Sequence, residues 1–436
     1  MTKAMSTAMR RIQTGNVMSA FGLGFTVPYL YVYVAQVRGL GSGTAGVVLA
    51  VFAMAALAVL PFTGRAMDRR GPVPVLMGAA VTAAAGALAL GLATSVTAAV
   101  ASAALLGAST AVIQPALATL IVWCSTPANR TRAYATQFFL QNLGLGIGGL
   151  VGGQIVDEHR PATFTLLFSI EAAMFLVLAG AAATVRIARP AVDAGGDGVP
   201  AAGGNGVRAL LSHRAMVQML VLAFVVFFAC YGQFESGLTA YGTDAAGIDP
   251  SSLGVALAVN TAVIVVAQFL VLRTVERRRR TRVIALVGLV WAFAWVVAGY
   301  AGLAHAGQAV ATVAFVSTYG LFGFGEALLS PTVAPLVSDL APSSMVGQYQ
   351  SAFALVKQLA LAVGPAVGAP MAAGLHAPYI ATFVLFSLAV TVLAVRLGRR
   401  LTPGQERPAL ATTSRVVAQH LPEPSDGLAH APGRVS

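Results

Sequence analysis

The chain has 436 residues, of which 57% are hydrophobic and 10% are charged, and its formal net charge is +12. Soluble globular proteins carry about 25% charged residues, so this composition excludes an ordinary water-soluble protein. The charge is too sparse to coat a water-facing surface, and the sequence predicts a protein embedded in a lipid bilayer.

Long apolar stretches recur along the whole chain. A membrane helix needs about 20 largely apolar residues. Twelve stretches of about that length predict twelve transmembrane helices, near 16–37, 44–63, 74–95, 98–123, 133–156, 163–185, 215–239, 251–272, 283–303, 308–336, 347–372 and 378–396. Barrel strands would show short alternating segments instead, so the expected fold class is an all-α membrane protein.

The basic residues are distributed unevenly between the predicted loops. Of the 27 basic residues, Arg38 and Arg160 fall in predicted external loops, and Lys357 falls in the interior of a span. The other 24 belong to the N-terminus, the predicted cytoplasmic loops or the C-terminal tail, counting Arg396, the last residue of the twelfth span. This pattern obeys the positive-inside rule and predicts a multi-pass protein of the cell (inner) membrane with both termini in the cytoplasm. The basic run 277–280 is expected to lie near anionic lipid headgroups, and no nucleic-acid partner is predicted.

A segment rich in glycine, proline and alanine divides the chain. Residues 186–214 predict a flexible cytoplasmic linker between an N-terminal six-helix bundle (1–185) and a C-terminal one (215–400), and 401–436 predict a disordered tail. An internal repeat supports the division, since an offset of 215 residues aligns Pro127, Tyr134, Gly149 and Gly153 with Pro342, Tyr349, Gly364 and Gly368. Parallel six-span repeats are a known transporter plan, with the substrate bound between the halves.

Charges interrupt the apolar pattern in the stretch GRAMDRRGP, residues 64–72. It resembles the G-x-x-x-D-R-x-G loop between the second and third spans of major facilitator superfamily transporters. The resemblance implies two six-helix bundles and a cytoplasmic latch formed by Gly64, Asp68, Arg69 and Gly71. Asp68 would pair with an arginine or face a helix N-terminus of the opposite half. The alternative is that the arginines only anchor the loop.

The fifth predicted span is rich in glycine. Its glycines resemble the family's "GPxxGG" signature, which is associated with drug–proton antiporters, and with the matching positions of the repeat they give the hinge candidates Gly148, Gly149, Gly152, Gly153, Gly364 and Gly368. Small residues let helices approach closely and slide, and ordinary helix packing is the alternative. Ala103 stands where the antiporter pattern has an arginine, so any proton relay must use other residues.

Four charged residues lie where the membrane interior is expected: Glu171, Glu235, Glu326 and Lys357. A charge at the centre of a membrane helix costs about 2.5–3.5 kcal/mol, so each requires a partner, water or a function. The three glutamates are candidate proton-coupling sites. Glu326 and Lys357 are expected to form an ion pair between the tenth and eleventh spans, either functional or purely structural, and Glu235 is alternatively wetted from outside.

Aromatic and amide side chains share faces of several predicted spans. The candidate lining of a substrate cavity is Phe25, Tyr29, Tyr33, Gln36, Gln137, Gln141, Tyr231, Asn260, Tyr319 and Lys357. Aromatic faces with scattered amides suit an amphipathic, ring-containing molecule. For each aromatic residue taken alone, packing is the alternative.

Together these features favour a monomeric, proton-coupled exporter of small amphipathic compounds, a drug or secondary-metabolite efflux protein. The alternative is proton-coupled uptake of a nutrient or organic anion, with Lys357 as an anion contact. An enzyme is not expected, because the six histidines lie in loops or the tail without metal-ligand spacing. No glycine-rich stretch carries the Lys-Ser/Thr pair that phosphate binding needs, so no nucleotide cofactor is predicted. The spacing of the histidines likewise predicts no metal site.

Overall fold

The computed structural model describes residues 3–157, 159–187, 206–234, 236–275, 278–304 and 307–407, and every regular element within them is a helix. The first half holds six helices: α1 (Lys3–Val32), which continues as a π-helical turn (Tyr33–Val37), α2 (Gly41–Arg70), α3 (Pro72–Leu92), α4 (Val96–Cys124), α5 (Pro127–Ile155) and α6 (Pro161–Ala183).

The second half begins with a short helix and a broken span. These are α7 (Gly206–Ser212), α8 (Arg214–Val226), a π-helical turn (Phe227–Tyr231), α9 (Gly232–Phe234) and α10 (Gly237–Asp244). The rest is α11 (Pro250–Val275), α12 (Arg280–Leu303), α13 (Gln308–Leu340), α14 (Val346–Gly374), α15 (His376–Gly398) and α16 (Pro403–Glu406). The predicted seventh span is thus built from α8 to α10.

The described helices confirm the all-α membrane fold class. Among the described residues, nine helical segments are long and apolar enough to cross a bilayer, and α8 to α9 count as one of them (Arg214–Phe234). The number is ten when the bent first helix counts as one span. Helices α5 and α11 occupy the two remaining predicted positions with 29 and 26 residues. Arg130 and Arg132 lie in the first turns of α5 and lower its hydropathy. The full count of twelve stays a prediction.

A sharp turn separates α2 from α3. Gly71 has a φ of +88°, a conformation that glycine adopts far more readily than other residues. Pro72 begins α3, where its missing N–H has no helical partner to lose. The turn in the charged loop is therefore encoded locally.

Buried apolar side chains form two separate clusters. One draws its members from residues 12 to 185 and the other from residues 210 to 397. Within the described chain, the two halves meet mainly where α2 and α4 pack against α14 and where α5 packs against α13. These helices define the interface between the halves.

Two segments expected to be irregular contain ordered structure. Residues 206–212 of the predicted linker form α7, and 188–205 lie outside the described residues. At the start of the tail, Thr402 caps α16 with a capping box, and Thr281 of α12 donates to the buried Glu406 carboxylate at 2.5 Å. Residues 401–407 are thus held against the bundle, whereas 408–436 lie outside the described residues.

Candidate functional site

A cavity of about 180 Å³ lies at the interface between the halves. Helices α4 and α5 form one wall of the cavity. The π-helical turn Phe227–Tyr231, α13 and α14 form the other. Its amide and aromatic lining comprises Gln114, Gln137, Gln141, Gln350, Tyr134, Phe138, Phe227, Tyr231 and Phe353, and Lys357 lies beside them. This lining joins flat apolar faces to hydrogen-bonding groups, as small-molecule sites commonly do.

Of the predicted lining residues, Gln137, Gln141, Tyr231 and Lys357 reach this cavity. The first-span candidates do not. The buried Tyr33 hydroxyl donates to the backbone oxygens of Leu90 and Gly91 at 3.1 and 2.8 Å and accepts from Arg38 at 2.7 Å. Tyr33 therefore joins α1 to α3 and packs inside the first half.

The other three first-span candidates also lie away from the cavity. Phe25 is buried and packs edge-on against Phe21, with ring centroids 5.0 Å apart. The Tyr29 hydroxyl donates to the Gly149 backbone oxygen at 3.0 Å, and Gln36 is exposed. Phe25 and Tyr29 thus face α5, and none of the four first-span candidates is among the residues that line the cavity.

Glu326 is buried behind the cavity on α13. Asn260 of α11 donates from Nδ2 to Glu326 Oε1 at 3.3 Å and to the Tyr319 backbone oxygen at 3.1 Å. The Tyr231 side chain also interacts with Glu326. Because Tyr231 lines the cavity and the other members do not, one side chain separates the carboxylate from the cavity.

Lys357 faces the cavity without an ion-pair partner of the predicted kind. The expected ion pair between Glu326 and Lys357 is not formed. The ion pairs found in the described ranges involve other carboxylates, those of Asp157 and Asp339. Lys357 Nζ instead lies 5.1 Å from the centroid of the Phe227 ring, a cation–π arrangement. Tyr231 and Asn260 occupy the positions around Glu326 that the lysine was expected to fill.

The two other proton-coupling candidates lie elsewhere. Glu171 is fully buried on α6, where its backbone packs closely against Gly22 of α1. Helix α6 packs against α1 and α3, so Glu171 lies within the first half and away from the cavity. Glu235 lies outside the described residues.

At the predicted cytoplasmic end, Asp68 contacts the N-terminus of α14. Asp68 Oδ1 accepts the Gly347 N–H at 2.7 Å, and Oδ2 accepts the backbone N–H and side-chain Nε2 of Gln348 at 3.1 and 3.0 Å. The first backbone N–H groups of a helix have no intrahelical acceptor, and they favour a negative charge. Of the two partners that the sequence left open, Asp68 therefore meets the helix N-terminus, whereas Arg69 is exposed.

A hydrogen-bonded triad borders the cavity, since two of its members, Tyr134 and Gln350, line it. The Tyr134 hydroxyl lies 2.7 Å from Ser338 Oγ, and Gln350 donates from Nε2 to Ser338 at 2.8 Å and to Tyr134 at 3.4 Å. Tyr134 belongs to the first half and the other two to the second. The triad therefore joins the two halves beside the cavity.

A buried charge cluster follows the triad. Asp339 of α13 pairs with Arg130 of α5 and with Arg280 of α12, the latter at 2.5 Å. Arg280 also donates to Thr131 Oγ1 at 3.2 Å. Asp68, the triad and this cluster thus join the two halves by hydrogen bonds and ion pairs toward the predicted cytoplasmic end.

The hinge-candidate glycines lie at close helix contacts. On α5, Gly148 faces the Phe21 backbone of α1, and Gly152 and Gly153 face the rings of Phe25 and Tyr29, whereas Gly149 has looser contacts. On α14, a Cβ added to Gly364 would lie 2.7 Å from Gly232 Cα, and Gly368 faces the Gln233 side chain. These contacts provide the packing that small residues permit, and a hinge role stays a prediction.

The sequence analysis missed several residues of the cavity and of the charge cluster that joins the halves. Gln114, Gln350 and Phe353 were not selected, although an amide within a predicted span was a usable signal for the first two. Asp339 and Arg130 lie near predicted span ends, where charged residues are unremarkable.

Within the described ranges, no cluster of three or more His, Cys, Asp or Glu residues could hold a metal ion.

A helical bundle in two halves, with a cavity between them and contacts at one end, defines a membrane-transporter architecture. The sequence profile of the Major Facilitator Superfamily matches residues 14–365. The chain belongs to the Major Facilitator Superfamily. A comparison with curated proteins gave no match.

Solved structures of several transporters share the fold at low sequence identity. The human organic anion transporter TETRAN superposes with a TM-score of 0.70 at 15% identity, over 89% of this chain and 99% of that one. The transporter FucP in its outward conformation gives 0.74 at 13%, over 91% and 99%. A bacterial homologue of the iron transporter ferroportin, in its outward-facing state, gives 0.73 at 13%, over 90% and 98%.

Proposed function

We propose that this protein is a proton-coupled secondary transporter that exports small amphipathic compounds from the cell, acting as a monomer in the cell membrane. The observation that carries the proposal is the cavity between the halves, whose aromatic and amide lining lies one side chain from the buried Glu326. Such a lining suits compounds with a ring and a few polar groups.

The position of the contacts between the halves supports a proposal of alternating access. Asp68, the Tyr134 triad and the Asp339 cluster all join the halves on one side of the cavity. Breaking them would open the cavity toward the predicted cytoplasmic side, if 1–185 and 215–400 move as the two bundles. A compound entering there would leave on the other side once the contacts form again.

Proton coupling would act through Glu326. A proton moving inward down about 100 mV releases ~2.3 kcal/mol from the membrane potential alone. Protonation of Glu326 would change its hydrogen bond to Asn260 and its interaction with Tyr231, and Tyr231 would transmit that change to the cavity. Glu171 is a second candidate, although it is buried within the first half.

The test is growth inhibition of a drug-hypersensitive bacterial host across a panel of amphipathic compounds. Expression should confer resistance to several compounds, and Glu326→Gln, which keeps the shape of the side chain, should abolish it. Glu171→Gln is the matched variant and should leave resistance intact. Loss of resistance only in Glu171→Gln would move the proton site, and no resistance despite verified membrane expression would contradict export.

Proton-coupled uptake of an organic anion is the second candidate, and Lys357 in the cavity favours it. Cells expressing the protein would then accumulate a labelled anion above the level of control cells. The accumulation would require Lys357 and would collapse when a protonophore removes the proton gradient. Export predicts lower accumulation than in control cells.

A further inference from the structure

Lys357 gives the cavity its charge. Of the described residues that line the cavity, Lys357 alone carries a charged side chain. That side chain is exposed, although it lies in the eleventh span, because it faces the cavity. A ligand in this cavity therefore meets a cation.

The environment of Lys357 leaves room for a negative partner. No described carboxylate lies within ion-pair distance of its amine, and the Phe227 ring is 5.1 Å from Nζ. A ring face compensates a cation less than a carboxylate does in a water-poor site. A ligand carboxylate would supply the stronger contact.

The remaining lining fits an aromatic ring of limited size. Phe138, Phe227 and Phe353 contribute flat apolar faces to the cavity. Gln137 and Gln141 line it as well, and neither donates a side-chain hydrogen bond to another described residue. A cavity of about 150 Å³ holds benzene, so about 180 Å³ holds one ring with a small polar group.

From these three features we infer that the transported compound is a single-ring organic anion, an aromatic monocarboxylate in the simplest case, whose carboxylate binds Lys357. This inference rests on the proposed function only in taking the cavity as the substrate site. Either direction of transport is compatible with it. A neutral amide of the same shape should bind roughly tenfold or more weakly, because hydrogen bonds to charged groups are stronger than neutral ones.

The test is isothermal titration calorimetry on the purified full-length protein in lipid nanodiscs, with benzoate, benzamide and benzylamine as anionic, neutral and cationic probes of one size. Benzoate should bind most tightly and benzylamine most weakly. Lys357→Gln should remove the preference for benzoate, and Lys357→Arg, which keeps the charge, should retain it. Thermal unfolding of each variant confirms that it is folded.

The outcomes separate the ligand class from the direction of transport. Equal binding of the three probes, no benzoate binding, or a benzoate preference that survives Lys357→Gln in a folded variant overturns the inference. In that case, resistance in the growth assay would still support export. Benzoate binding that depends on Lys357, together with no resistance to any compound, supports the inference and counts against export.

Discussion

The Asp68 carboxylate of α2 holds the N-terminus of α14 in the opposite half, with Oδ1 accepting the Gly347 N–H at 2.7 Å. The approach is close because Gly64 and Gly347 lack side chains, and a Cβ on Gly347 would lie 2.8 Å from the Gly64 backbone oxygen. A carboxylate at a helix N-terminus is favoured by the unpaired N–H groups and by the helix dipole. The contact therefore stabilises the conformation that is closed at the predicted cytoplasmic end.

Replacing Asp68 by asparagine should open that end. The variant loses the negative charge, and its NH₂ group faces N–H donors, so we expect a loss of about 2 kcal/mol, equivalent to roughly 30-fold in the equilibrium. Spin labels at the exposed positions Arg65 and Ser343 would report the distance between the halves by double electron–electron resonance spectroscopy. Arg69→Gln is the control, and an equal shift in that variant would contradict the role of Asp68.

Asp339→Asn should destabilise the interface more strongly than Asp68→Asn. The side chains of Asp339 and Arg280 are only 9% and 3% exposed, and Arg130 shares the same carboxylate. Removing one member of a buried ion pair costs about 3–5 kcal/mol, because the partner charge stays buried without compensation.

Thermal unfolding and the same label pair measure the effect of Asp339→Asn. Asp157→Asn is the matched control, since the Asp157 side chain is 42% exposed and its arginine partner lies 3.5 Å away. Exposed pairs contribute about 0–1 kcal/mol. Similar effects of the two substitutions would show that the Asp339 cluster is not a principal contact of the closed state.

Truncation should distinguish the docked start of the tail from the rest. Ending the chain after Leu401 removes the Glu406 contact with Thr281 and the contact of Arg280 with the Gln405 backbone oxygen, which are 2.5 and 3.4 Å long. We expect this truncation to lower the midpoint of thermal unfolding and to increase the open population. Ending the chain after Arg407 keeps both contacts and should change neither quantity.

Gly364→Ala should destabilise the contact between α14 and α9. The added methyl group would lie 2.7 Å from Gly232 Cα, and overpacking of this kind costs about 1–3 kcal/mol. Gly78→Ala in α3 is the control, because nothing lies within 4 Å of the added carbon. The control should be neutral or more stable by about 0.5–1 kcal/mol, and thermal unfolding would show whether the two variants differ.

The helices were largely predictable because lipid requires long apolar runs and breaks between them. The break at Gly71 and Pro72 illustrates this, since both residues act through the local backbone. The partner of Asp68 was only narrowed to two possibilities, because the choice depends on which helix stands opposite. That information is not contained in the loop itself.

The site was less predictable, because a shared helical face does not reveal which neighbour it meets. Tyr33 lies on such a face, yet it bonds to α3 inside the first half. Glu326 and Lys357 lie on spans adjacent in sequence, but Asn260 from the eighth span donates to the carboxylate, and Tyr231 from the seventh span interacts with it. Predicting that arrangement requires the relative rotation of three helices, which periodicity alone does not fix.

The two hydrophobic clusters have no side chain in common, and this has a consequence for how the protein is assembled. No described residue between Val185 and Leu210 is a buried member of either cluster, so we expect each cluster to keep its internal packing when the chain is severed within residues 188–205. Two separately translated polypeptides, divided there, should meet in the bilayer through α2, α4, α5, α13 and α14. Assembly of the two halves would then depend on the contacts between their helices and not on the covalent connection between them.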